Sequence, residues 1–138
     1  MTRRLLIALL LSCFAAGCAL LMGPSMTARD DSRRAVEAAE SVLYGVDDWC
    51  RSGWFGRLRA DCEAVRVPSS ALVAAANAFH VAADADRADR RRDLRIAIRV
   101  TESAIARELH WWYRPWFEEP LSNLHWSVDQ TERREAGR

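Results

Sequence analysis

Asp84-Ala85-Asp86-Arg87-Ala88-Asp89-Arg90-Arg91-Arg92-Asp93 separates two apolar stripes. Before it, Leu72, Ala76, Phe79 and Ala83 recur at helical spacing. After it, Leu94, Ala97, Ile98, Thr101, Ile105, Leu109 and Trp112 do the same. The charged run admits two readings. As a turn, it folds the stripes back on each other as a helical hairpin. As helix, it continues one rod across residues 70–113. No Gly or Pro interrupts it, and the 3.6-residue phase carries from Ala83 through Asp86 and Arg90 to Leu94. Asp86 and Arg90 also stand in the favourable i,i+4 order. Such a rod would be about 65 Å long at 1.5 Å per residue, and it could not bury its stripe in so small a chain. The hairpin is the expected arrangement. Four Asp and four Arg cancel within the run, so it is no single-sign patch for a charged partner.

Working outward, Val67-Pro68-Ser69-Ser70 reads as the opening of the first hairpin helix, with Ser69 or Ser70 as N-cap. The density of Ala from Ala71 to Ala85 favours helix and close helix–helix approach. Further upstream, Thr27-Ala28-Arg29-Asp30 fits a capping box. Val36, Ala39, Leu43 and Val46 follow at spacings of three and four, which predicts a first helix over residues 28–48. Residues 49–67 are the least regular stretch, read as a compact loop, and Trp49 and Trp54 there are expected to pack. Downstream, Pro115 is expected to stop the last helix, because the residue before a proline avoids helical geometry. Glu118-Glu119-Pro120 then opens a non-helical stretch that packs back through Leu121, Leu124 and Trp126, and residues 127–138 form a polar, flexible tail.

The chain has 138 residues, 20 basic and 19 acidic, for a net charge of +1; every basic residue is Arg. That near balance argues against a phosphate-binding protein, which needs a cationic excess, so no nucleic-acid partner is expected. Half the residues are hydrophobic, which excludes a disordered tail. Ten Gly and Pro together argue against a turn-rich all-β fold.

The N-terminus carries Arg3 and Arg4, then an apolar run from Leu5 to Leu11, then small residues, the pattern of an export signal. Ala15-Ala16-Gly17-Cys18 resembles the lipobox of bacterial lipoproteins, although Leu is commoner where Ala15 stands. The resemblance implies removal of residues 1–17, acylation of Cys18, and a tether over residues 18–26. Leu10-Leu11-Ser12-Cys13 is a second lipobox candidate, with a short apolar region. An uncleaved anchor from Leu5 to Met22 is a third reading, at the lower limit for a spanning helix. Under the lipoprotein sorting rule, Ala19 after Cys18 implies outer-membrane placement facing the periplasm. Export also implies an oxidising compartment. With Cys18 acylated, Cys50 and Cys62 remain to form a disulfide.

Four of the six Trp lie between residues 111 and 126. Trp111, Trp112, Tyr113, Arg114, Trp116 and Trp126 are the candidate binding residues. Three uses compete for them: packing, which is the commonest fate of large aromatics; contact with a membrane surface; and a partner or ligand groove, since Trp, Tyr and Arg dominate binding hot spots. No catalytic residue and no cofactor are expected. There is no G-x-S-x-G, no P-loop and no dinucleotide fingerprint. A metal set of His110, His125 and Glu118 can be drawn, but its spacing matches no known ligand motif, and no metal is expected.

These readings converge on an all-α domain over residues 27–126. It has about three helices, one helix plus a hairpin, clipped by one disulfide and placed after a lipoprotein signal. The expected function is that of a small, membrane-anchored envelope lipoprotein, non-enzymatic, which binds an envelope protein. The alternatives are a lipid- or glycan-binding module built on the Trp-rich region, and a prophage-encoded envelope or lysis lipoprotein. Palmitate labelling of the expressed protein is expected to disappear in Cys18→Ala; labelling that persists in that variant moves the acylation site to Cys13.

Overall fold

The structure, a computed structural model, describes residues 27–52 and 59–137. Four helices make up the described residues: α1 (Ala28–Arg51), α2 (Arg59–Val81), α3 (Arg87–Glu108) and α4 (Pro115–Ala136). The signal segment, Cys13, Cys18, the tether and Trp54 lie outside the described residues. Each helix runs antiparallel to the one before it. α1 is central: it packs on α2 along one side and on α4 along the other, and α2 packs on α3. The backbones of α3 and α4 approach each other far less.

α1 starts where the capping box places it. Thr27 N donates to Asp30 Oδ2 at 2.7 Å, and Asp30 N donates to Thr27 Oγ1 at 3.3 Å. The backbone and side-chain hydrogen bonds from Thr27 hold the Asp30 carboxyl below the usual carboxylate range. The buried stripe is Ala35, Ala39, Val42, Val46 and Trp49, with Ala38 beside it. It is rotated from the predicted one, because Val36 and Leu43 are only half-buried while Ala35 and Val42 are fully buried. Trp49 is buried, as its packing reading expects.

The charged run divides at its third residue. A turn over 84–86 reverses the chain, and the remaining residues form the first turns of α3. The hairpin is therefore the arrangement adopted. Leu72, Ala76 and Phe79 of α2 face Leu94, Ile98 and Ile105 of α3 across the core, while Ala83 sits exposed beyond the end of α2.

Three expectations need correction. First, α2 begins at Arg59, so Pro68 lies inside the helix and neither Ser69 nor Ser70 caps it. A mid-helix proline costs about 3 kcal/mol. The first turns of α2 are held regardless, by the Cys50–Cys62 disulfide, by burial of Val65 and by the Arg66–Asp47 ion pair at 3.1 Å. Chain entropy alone makes a disulfide closing a loop of this size worth about 3 kcal/mol. Buried Ser69 donates to Val65 O at 2.8 Å instead of capping.

Second, Pro115 does not stop α3, which already ends at Glu108, but starts the next helix. It occupies the first position of α4, where a missing N–H is harmless and the fixed φ is already helical. The domain therefore has four helices, not three. Third, residues 127–136 are not a flexible tail. They continue α4, with Ser127, Val128 and Thr131 buried.

Ion pairs hold the last turns of α4. Arg134 Nε reaches the carboxylate of Asp31, which is fully buried at the start of α1. The other Asp31 oxygen has no hydrogen-bond partner. On the opposite side, Arg91 pairs with Glu135, and Arg95 Nη2 lies 2.6 Å from Glu132 Oε2 and 3.0 Å from Asp129 Oδ1. Burial pushes the Arg91 guanidinium below its ordinary pKa, and Glu132 opposes that shift. The loosely packed α3–α4 seam is thus closed by Arg side chains of α3 reaching acids of α4.

Removing one partner of a buried pair leaves an uncompensated charge. Arg134→Met is expected to cost about 3 kcal/mol in urea unfolding, and adding Asp31→Asn should restore part of it. A cost undiminished in the double variant would show that the pair is not its cause.

Candidate functional site

The antiparallel order gathers four helix termini at one end of the domain: the end of α1, the start of α2, the end of α3 and the start of α4. The aromatic segment forms the α3–α4 connection there. Arg114 is exposed, but its guanidinium is already engaged by the protein's own backbone. Its Nε donates to Leu109 O at 3.1 Å and its Nη2 to Ala106 O, which satisfies carbonyls left open at the end of α3. Tyr113 is half-buried against the core, with its hydroxyl 3.4 Å from Ser52 Oγ.

The Trp side chains do not pack inward. Trp111 is 74% exposed, Trp116 76%, Trp112 40% and Trp126 44%. The packing reading is therefore overturned for these four. Phe117 fills the interior position instead, at 2% exposure. The rings touch one another: His110 stacks on Trp112 with centroids 4.8 Å apart, and Trp111 meets Trp112 edge-on at 5.9 Å.

Trp112, Tyr113 and Trp116 line a groove of about 740 Å³ with Tyr44, Phe117 and Pro120. Tyr44, 71% exposed, forms its α1 wall. Gly45 and Phe117 form the floor. A Cβ on Gly45 would stand 3.0 Å from Phe117 Cε1, so glycine is what lets the ring sit flush against α1. Ser41 and Pro120 are shared with a second section of about 730 Å³, which runs along the α1–α4 seam to Trp126 and Arg34. The Arg34 guanidinium lies over the Trp126 ring, 5.7 Å from its centroid. Trp126 thus belongs to the far end of the seam, and Trp111 lines neither section.

Sequence reading identified Trp112, Tyr113 and Trp116 but missed the α1 wall: Tyr44, Gly45 and Asp48. One signal was present. Tyr44 falls off the apolar stripe of α1, an aromatic residue at a solvent-facing position. Nothing in the local sequence tells which helix comes to lie beside it.

The histidines go to separate places. His125 Nε2 pairs with Glu102 Oε1 at 2.6 Å on the α3–α4 surface. His80 Nδ1 lies 2.9 Å from Ser32 Oγ at the opposite end of the domain. Among the described residues, no group of three His, Cys, Asp or Glu could hold a metal ion, so His110, His125 and Glu118 do not converge. Among the same residues, no helix is long and apolar enough to cross a membrane. The chain matches no protein-family model, no curated protein and no solved structure.

A residue in the core and a residue serving a surface site differ in their stability cost. Phe117→Ala is expected to lose about 3–5 kcal/mol in chemical denaturation. Trp116→Ala, one position away, should stay within about 0.5 kcal/mol of the parent. Equal costs would return Trp116 to the core.

Proposed function

We propose that this protein is a small envelope lipoprotein, anchored through acylated Cys18 and facing the periplasm, whose helical domain is a non-enzymatic docking module. The observation that carries the docking reading is the exposure of Trp111, Trp112 and Trp116 at one end of the domain. Burying such rings elsewhere was open to the chain, since Trp49 is buried. Exposed Trp beside Tyr supplies large contact area at low entropic cost, the character of binding hot spots.

The polarity of the domain supports the anchored arrangement. Residues 18–26 join the domain at Thr27. The aromatic end lies at the far end of α1, a helix of 24 residues, hence about 36 Å away at 1.5 Å per residue. A lipid at Cys18 therefore holds the domain by the end opposite its aromatic surface. That favours presentation toward a partner over insertion of the rings into the same bilayer.

A second reading has its own observation. The apolar groove between Tyr44 and Trp116 has the size of a small-ligand site, which suits a lipid chain or a sugar ring stacked on Trp.

Site-specific photocrosslinking in the native host separates the two. A photoreactive residue at position 116 is expected to trap a discrete protein adduct, while the same residue at Arg92, on the outer face of α3, traps none. Absence of any protein adduct at 116 would overturn the docking reading.

A further inference from the structure

The docking reading leaves the partner open, and the charges around the groove narrow it. The two sections share Ser41 and Pro120 and run end to end along the α1–α4 seam. From Asp48 to Arg34 the seam extends about 21 Å at 1.5 Å per residue, longer than a single sugar or a simple cation needs. Its charged lining is three carboxylates, Glu37, Asp48 and Glu119, against one guanidinium, Arg34. Arg34 is already placed over Trp126, and Glu37 is already paired with Arg33 at 3.2 Å. Asp48 on the α1 wall and Glu119 on the α4 wall have no ion pair among the described residues. They flank the aromatic end from both sides.

We propose that this groove binds a basic peptide segment of a partner protein, with an apolar side chain seated between Tyr44 and Trp116 and cationic side chains set against Asp48 and Glu119. The proposal rests on the docking reading and adds the chemistry of the partner. Opposite charge across an interface selects partners and speeds encounter more than it adds affinity. The same two carboxylates repel phosphate headgroups and acidic glycans, which would otherwise suit a Trp-lined surface. Exposed Trp and Tyr faces attract Lys and Arg directly as well. An extended chain rises about 3.3 Å per residue, so roughly seven residues would span both sections.

The test uses the full chain held in lipid nanodiscs and a dye-labelled peptide followed by fluorescence anisotropy. The peptide has about ten residues, enough to span the seam when extended, with Lys on both sides of a central Leu. Saturable binding is expected, weakened by added salt. The peptide with every Lys replaced by Glu should not bind. The double variant Asp48→Asn/Glu119→Gln should weaken binding of the basic peptide about fivefold, as loss of two exposed charge pairs implies. Trp116→Ala should weaken it further, with the thermal unfolding of both variants unchanged. Equal binding of the Lys and Glu peptides overturns the proposal. So does failure of the basic peptide to bind, and so does its displacement by an uncharged chitin tetrasaccharide. A crosslinked protein at position 116 together with no basic-peptide binding would leave the docking reading standing and remove only the basic-peptide assignment.

Discussion

The ring of Phe117 against the bare backbone of Gly45 is the contact on which the functional end depends. It seats the start of α4 on α1 with no side chain between them. Phe117 is buried and its neighbour Trp116 is not, because adjacent residues on a helix point about 100° apart. Once Phe117 is committed to the core, Trp116 must point along the α1–α4 seam. Pro115 sharpens the result. By opening α4 at the position where proline is best tolerated, it starts the helix immediately after the aromatic turn and lets Phe117 reach the core two residues later.

The domain is held unevenly, and charge accounts for much of the difference. α1 is flanked on both sides and buries an unbroken stripe of small residues and Trp49. α3 and α4 close on each other through long side chains, with Arg91 and Arg95 reaching across to Asp129, Glu132 and Glu135. The Arg95 pairs are solvent-exposed and contribute little individually, whereas Arg91 is buried against Glu135. Asp31 and Arg134 differ, since a carboxylate without solvent access has few alternatives to its guanidinium partner. The pair ties the last turn of α4 to the first turn of α1, at the end where the chain leaves toward Cys18. In the anchored arrangement we propose, the membrane-side end is locked by a buried pair and the far end presents its rings.

Much of this was legible locally. The capping box at Thr27 and Asp30 is a four-residue signal, and it forms as read. The turn within residues 84–93 followed from an argument about length: a small chain cannot bury one face of a 65 Å rod. The two prolines misled for one reason. Pro68 and Pro115 were read by what proline does to an isolated helix, and each sits where something outweighs or avoids that effect. At Pro68 it is a disulfide and the buried Val65; at Pro115 it is the N1 position itself. The polar composition of residues 127–136 concealed a helix whose buried positions are mostly Ser and Thr, small enough to lie against α1 without an apolar signature.

The amino-acid sequence by itself determined that the domain is helical, where α1 begins, where the chain reverses between α2 and α3, and that its aromatic residues concentrate near residues 111–126. Those features follow from spacing and local capping, which act over a few residues. Tertiary structure alone decided which aromatics are core and which are surface. It also decided that Arg114 caps α3, and that Tyr44 and Asp48 stand across a groove from residues some seventy positions later. The physical reason is that exposure belongs to the pairing of helices. Trp116 and Phe117 have nearly the same local signal, and only the notch at Gly45 determines which of them is buried.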